Sequence, residues 1–463
     1  MPTRQTPTAP SAHRPGVWPA VLLGLTLLFG AAAARAWSNH AMATQVALGE
    51  LAEVRGAEPV AVESIEQFLQ SQAAALEALL ATEEAWARAN VPTYPARPEA
   101  LAFRAGPAPV SPAELRRRFI AAVRINPDSR LALFSQRLAG QDDGGRTPLN
   151  WSKVTTLRGD GTQIATRFVA LSEGERVSPL EVLSSASDEP DYGLDLGLWA
   201  DSGGPASAAY GLGTQPFGNP ALEYSGQAPM HMGFFHEAAI IYTAAGFLKR
   251  TYPEYRVHLY QALARHAFKT GHPYWGWRFG GWALHYVQDL TQPYHARVLP
   301  GVGPARMLWV NAIDMAGFHG AKNDAVTLVS NRHTALENYQ YWVMRRALER
   351  GDAAHPVLAA LRDRSHDPAP PWRDDTLRNV VTQESHAASD RLDEVLAGAM
   401  PARYVSDPGY TVGVTEPKLD LAELVARGPA DARARLDTML AALLSRCGAH
   451  SRAFVLDLIA TTR

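Results

Sequence analysis

The sequence predicts an all-α fold: a many-helix domain with inserted loops and one short β-hairpin. Three observations carry this. Apolar side chains recur at i, i+3 and i+4 along most of the 463 residues, the period of helices buried on one face. Ser111-Pro112-Ala113-Glu114 and Ser178-Pro179-Leu180-Glu181 each place a capping serine, a first-turn proline and a reciprocal glutamate where a helix begins. Clusters of Pro and Gly, not alternating strands, punctuate the periodic stretches. With 46% hydrophobic and 19% charged residues the chain can bury a large core. Lys and Arg total 44 against 46 Asp and Glu, which speaks against a broad basic surface for nucleic acid. The lone Cys447 excludes an internal disulfide framework and Cys-rich zinc modules. Fifteen histidines mean that a metal site would be built from nitrogen and oxygen ligands.

The amino terminus reads as a signal peptide over residues 1–36. Arg4, His13 and Arg14 precede the uncharged, mostly apolar Val17–Gly30, and Ala34-Arg35-Ala36 matches an A-x-A cleavage site. The alternative is an uncleaved anchor, because Val17 to Ala34 is eighteen residues, the short end for a membrane span. Export places the mature chain in the periplasm or outside the cell. Cleavage removes Arg4, Arg14 and Arg35, leaving 41 basic against 46 acidic residues, a balance of −5. It also makes Trp37 the first residue, whose free amine and carbonyl form a five-membered chelate with a metal.

Helices are expected over His40–Val54 and Val62–Ala81. A Pro-rich break follows (Pro92, Pro95, Pro98, Pro107, Pro109, Pro112), and then helices at the two capping boxes. Lys153–Leu171, rich in Thr and Val, reads as a hairpin around Gly159-Asp160-Gly161. Residues 201–230 read as a long surface loop. Helices follow at about 233–249, 254–269, 274–289 and 322–350, with about four more over 353–463 broken at Asp367–Trp372. The domain reading is a main helical domain over 37–345, with insertions near 85–180 and 200–230. A helical extension over 346–463 packs on the same domain.

The densest chemistry lies in Gly281–Ala296. His285 and Asp289 are four apart on a helix, so both project from one face and can share one ion. Pro293 ends the helix, and His295 just beyond it is placed for a neighbouring ion; an Asp carboxylate between such ions can bridge them, one oxygen to each. His333 and Glu337 repeat the i, i+4 spacing. Imidazole and carboxylate are ligands for zinc or manganese, and the lack of thiolates points to a catalytic site. One such pair alone is commonly structural; two pairs, a further histidine and His40 beside a free Trp terminus are a constellation. The aromatic run Tyr274-Trp275-Trp277-Phe279-Trp282 reads as core, Arg116–Arg118 as a solvated face and Cys447 as a buried thiol.

These stretches resemble the zinc-dependent bacterial phospholipases C, whose superfamily includes the S1/P1-type nucleases. Trp37-Ser-Asn-His40, Pro190-Asp191-Tyr192, the segment 261–296 ending H-Y-V-Q-D-L-T-Q-P-Y-H, and His333-x-x-x-Glu337 occur in the family's order between Trp37 and about Tyr341. The resemblance implies three zinc ions. Trp37, His40 and bridging Asp289 would hold one; Asp191, His231, His285 and Asp289 the second; His295, His333 and Glu337 the third. It implies Asp191 as general base or water-orienting group; Tyr192, beside it, is read from its position as a cation–π wall for a headgroup. Asp188, one turn before Asp191, and His236, beside His231, stand as alternatives; His319 is the least secure of the histidines left outside. The Trp37–His40 spacing is shorter than in the phospholipases and lacks an acid to complement choline, and several connections are longer.

The function expected from this resemblance is a phospholipase C. It would hydrolyse glycerophospholipids to diacylglycerol and a phosphorylated headgroup by a metal-activated water, touching the membrane surface transiently and needing no stable nucleic-acid or obligate protein partner. A single-strand nuclease of the S1/P1 type is the alternative; Glu337 in place of Asp and the lack of paired cysteines lean away from it. A non-catalytic helical binding protein is the third reading.

Overall fold

The run Pro273–Asp289 explains the architecture. Proline opens it, no β-branched run interrupts it, and every residue from Tyr274 to Asp289 is buried. A helix buried on all sides belongs in the middle of a protein, and its charged Arg278 is accommodated there by pairing with Glu189. The computed structural model describes residues 1, 39–107, 110–157, 166–219, 222–367, 372–413, 416 and 418–460. The chain divides into Met1–Gly30 and Ala31–Arg463, and every helix and strand named here belongs to the second unit.

The protein is 61% helix and 3% strand, with 18 helices among the described residues and a small antiparallel sheet. The ten helices of nine residues or more are α1 (His40–Leu48), α2 (Ile65–Asn90), α3 (Pro112–Val123), α4 (Pro179–Ser187), α5 (Pro253–Lys269), α6 (Pro273–Asp289), α7 (Pro304–Met315), α8 (Gly320–Glu349), α9 (Thr382–Ala399) and α10 (Ala430–Ala460). Central α6 packs on α5, α4 and α10, and α1 lies across α4 and α10. The aromatic run of α6 is core, with Trp275, Phe279 and Trp282 wholly buried. Helices do open at Ser111 and Ser178, whose Oγ atoms accept from Glu114 N–H and Glu181 N–H, but the two glutamate side chains turn elsewhere, Glu114 to Arg117 and Arg118 and Glu181 to Ser135 and Arg137. Where α6 crosses α4 the backbones approach closely, because a Cβ on Gly281 would lie 2.5 Å from Ala186 Cβ. Among the described residues no helix is long and apolar enough to cross a membrane.

Several boundaries differ from the periodicity. The first helix stops at Gly49 and a separate turn covers Ala52–Arg55. The second begins at Ile65, because Ser64 caps it and Val60–Ala61 pairs with Arg176–Val177. No helix spans 233–249: Gly233 N–H donates to the His295 carbonyl at 2.8 Å, holding the chain out of helix until the short Ala239–Ala244. The expected hairpin is also different. Arg167–Ala170 pairs antiparallel with Phe134–Arg137 and with Pro148–Leu149, not with residues just before the turn. Asn150 instead starts a 3-10 turn at Trp151–Lys153, and the Thr155 hydroxyl donates to the Tyr192 carbonyl. The Gly-Asp-Gly tip lies outside the described residues.

Candidate metal centre

Five separate chain segments converge on the buried end of α6. His40 is the first residue of α1, fixed by Asn39, whose Oδ1 accepts from Met42 N–H at 2.7 Å. Asp191 sits in the 3-10 turn Pro190–Tyr192 that follows α4. Glu189 ties this turn to α6, accepting from Arg278 Nε at 2.9 Å and from Trp282 Nε1 at 2.6 Å. Gly193 closes the turn at φ +102°, where a Cβ would strike Thr156 Oγ1 at 2.1 Å. His231 ends the short helix Ala228–His231, and His285 and Asp289 come from α6 itself. His295 lies in Pro293–Ala296, and His333 and Glu337 face each other one turn apart on α8 at 2.6 Å.

The ligand atoms form three groups within each of which all lie within 4.8 Å: His40, His285 and Asp289; Asp191, His231 and His285; and His295, His333 and Glu337. Asp289 bridges the first two. Its Oδ1 is 3.3 Å from His40 Nε2, while its Oδ2 is 2.9 Å from His231 Nδ1 and 3.3 Å from His285 Nε2. Ligands on a tetrahedral ion at zinc–nitrogen distances of ~2.0–2.1 Å lie ~3.3 Å apart, so the spacing suits such ions. Asp191 is slightly farther off, at 3.8 to 4.0 Å from His285, His231 and His40.

Four of the five imidazoles, all but His333, are oriented by their other nitrogen. His285 Nδ1–H donates to the Ser187 carbonyl at 2.8 Å and His295 Nδ1–H to the His231 carbonyl at 2.9 Å. His40 Nδ1–H donates to Gln288 Oε1 at 2.9 Å; the Gln288 amide is fixed because its Nε2 donates to Thr44 and Ser451. His231 Nε2 lies 3.2 Å from Asp195 Oδ2, and Asp195 also holds the Tyr286 hydroxyl and Arg256. This is the outer layer that sets ring orientation and basicity in metal sites. Meanwhile both Asp289 oxygens, Asp191 Oδ2 and His40 Nε2 are buried without a well-directed hydrogen bond. Buried carboxylates facing imidazole lone pairs are a donor set that a cation completes.

The carboxylates dominate the electrostatics, and where no cation balances them they hold protons on two of the rings. Burial works against a charged His40, yet the hydrogen bond and charge of Asp289, with Asp191 behind it, raise it to about 9. Burial likewise opposes charge on His231, and Asp289 and Asp195 outweigh it to about 10. Burial also disfavours the Asp289 carboxylate, but His285, His295 and His231 keep it well below the usual range. Burial depresses His295 to about 3 and His333 to about 4, so both present neutral rings.

The structure thus brings together His40, Asp191, His231, His285, Asp289, His295, His333 and Glu337; Trp37 lies outside the described residues. Asp188 is occupied elsewhere, its oxygens accepting from Ala41 N–H and Gln136 Nε2. His236 bonds the Arg378 carbonyl and Thr382, and exposed His319 pairs with Asp314. The expectation for Tyr192 is corrected. The ring is 2% exposed, packed among Phe134, Trp151 and Phe168, with its hydroxyl donating to Gln136, so no face remains for a headgroup. Asp195, Gln288 and the Ser187 carbonyl were not singled out from sequence. Gln288 adjoins Asp289, but only the fold turns Asp195 toward His231.

A cavity of about 1160 Å³ opens onto the cluster, with Asp191, His231, His295 and His333 at its floor. Its walls are largely apolar, including Phe217, Phe234, Ile241, Leu248, Leu299 and Met307. Comparison of the chain with protein-family models, curated proteins and solved structures finds no match.

Proposed function

We propose that the protein is an exported zinc-dependent phosphodiesterase of the phospholipase C type, with three zinc ions at the converging ligand groups. The observation that carries this reading is a carboxylate- and imidazole-lined floor beneath a large, mostly apolar cavity. Such a cavity suits a substrate with a charged phosphodiester and a greasy remainder. Zinc ions bound there would supply Lewis-acid polarisation of phosphate oxygens and a water acidic enough to ionise near neutral pH.

The protein's own groups divide the remaining work. Asp191 has one oxygen without a well-directed hydrogen bond and lines the cavity, so it orients an entering water and accepts its proton. Asp289 supplies fixed negative charge between two ligand groups. His40, His285 and His295 are held as hydrogen-bonded, pre-oriented rings, so little reorganisation accompanies the reaction. The apolar walls exclude water around the phosphate and take the diacylglycerol portion, leaving the phosphorylated headgroup as the other product.

The test uses the mature chain beginning at Trp37, loaded with zinc and then stripped by chelator. It is assayed against phosphatidylcholine, phosphatidylethanolamine and single-stranded nucleic acid. Chelator-sensitive release of diacylglycerol is expected; release of nucleotides instead would assign the same centre to a nuclease.

A further inference from the structure

Helix α7 is an odd surface element. Of its twelve residues only Arg306 and Asp314 are charged, and only Met307 and Val310 are buried. A surface helix normally turns polar side chains to water. This one presents Trp309 at 48% exposure and Met315 at 80%, with Phe318 at 72% in the turn that follows. The neighbouring segment 239–249 adds Ile240 at 50% and Phe247 at 39%. The two segments pack together, Asn311 Nδ2 donating to the Ala244 carbonyl at 3.1 Å. Their inner side chains, Ile241, Leu248 and Met307, wall the cavity that ends on the ligand cluster. The exposed apolar groups therefore belong to the elements that frame that cavity.

We propose that α7 and the segment 239–249 form a docking surface for a phospholipid bilayer, seating the cavity against the lipid; its use in substrate delivery rests on the phospholipase reading. Two further observations select lipid as the occupant. Exposed Lys249 and Arg306 are in no ion pair among the described residues, and the Arg306 guanidinium lies 4.3 Å above the Trp309 ring. Aromatic and basic side chains in this arrangement suit the headgroup level, with rings in the acyl boundary and cations on phosphates. The cavity also exceeds the ~300–1,000 Å³ of ordinary ligand pockets, leaving room for acyl chains beyond a headgroup. A second copy of the chain would cover the apolar side chains but seal the cavity from its substrate.

The experiment is co-sedimentation of the zinc-loaded mature chain with vesicles of phosphatidylcholine, alone and mixed with phosphatidylglycerol. The parent is compared with a Trp309→Glu, Phe318→Glu double variant; both side chains are exposed, so the melting temperature should hold. The parent should pellet, more so with the anionic lipid, and the variant should partition about tenfold more weakly. Hydrolysis of vesicles should fall in parallel, while hydrolysis of a monomeric short-chain phospholipid stays at the parent rate. Pelleting without hydrolysis of any lipid, still lost in the variant, would uphold docking while refuting the phospholipase reading. Equal pelleting of the two proteins, or none by the parent, would overturn the proposal. So would a lipid-free dimer that the variant dissociates, since a second copy would then be the occupant.

Discussion

Replacing Asp289 by Asn tests the architecture of the centre most directly. The substitution keeps volume and shape but removes the charge and one of two anionic oxygens, one facing His40 at 3.3 Å and the other facing His231 at 2.9 Å and His285 at 3.3 Å. Two of the three ligand groups depend on those oxygens. The third does not: His295, His333 and Glu337 form a group of their own, and Asp289 comes no nearer than 3.9 Å to His295 Nδ1. Bound zinc should therefore fall from about three equivalents to about one. An ion at a hundred times its dissociation constant stabilises the folded state by about 2.7 kcal/mol, so losing two costs roughly 5 kcal/mol. At about 2 °C per kcal/mol for a large domain, the zinc-loaded variant should melt about 10 °C below the parent. The assay is metal analysis after gel filtration, with thermal melts before and after chelation. Unchanged zinc content, or the same chelator-induced drop as in the parent, would refute the bridging role.

Three other outcomes follow from the same geometry. Asp195→Asn should weaken zinc binding ~10–100-fold in chelator competition, because it alters the group behind His231. Arg256 keeps its bonds to the Val123 and Arg124 carbonyls but loses its buried charge partner, so the variant should also melt below the parent, and affinity is read on the folded fraction; unchanged affinity would remove Asp195 from the orienting shell. The chelator-stripped protein should lose stability as pH rises. His40 is raised from 6.5 to about 9, so its contribution is full below 6.5 and disappears through about 9, worth about 3 kcal/mol. His231, raised to about 10, extends the loss upward, and a flat melting profile from pH 6.5 to 10 would contradict this. Gly281→Ala should destabilise by ~1–3 kcal/mol in denaturant titration, because the new Cβ meets Ala186 Cβ at 2.5 Å and the Leu183 carbonyl at 2.9 Å. Helix propensity alone predicts the opposite sign, a gain of ~1 kcal/mol.

The bilayer-docking surface and the ligand cluster arise from different parts of the chain. The cluster's ligands come from α1, α6, α8 and the short segments holding Asp191, His231 and His295, and α4 packs on both α1 and α6 behind them. The docking elements lie between ligand segments: 239–249 follows His231, and α7 fills the connection from His295 to His333. Length that exceeds what the ligand spacing needs has gone into an apolar rim.

What the sequence determined by itself was local. Helix starts at Ser111 and Ser178 follow from side chains meeting backbone N–H groups three residues on, and the His285–Asp289 and His333–Glu337 pairs follow from the helical period. The burial of the aromatics in the Tyr274–Trp282 run follows from their helical spacing, whereas the burial of Arg278 among them needed Glu189 from a distant segment. Tertiary structure decided whatever depends on residues distant in the chain. Asp188 and Asp191 are equivalent by local rules, and the choice falls to Gln136 and the Ala41 N–H, which occupy Asp188. Tyr192 faces inward because Phe134 and Phe168, brought together by strand pairing, close over it. Residues 233–238 stay out of helix because one N–H reaches the His295 carbonyl across the fold. A serine N-cap bond or an i, i+4 pair is completed within one helical turn, whereas a buried polar atom's partner can come from anywhere in the chain, and only packing selects it.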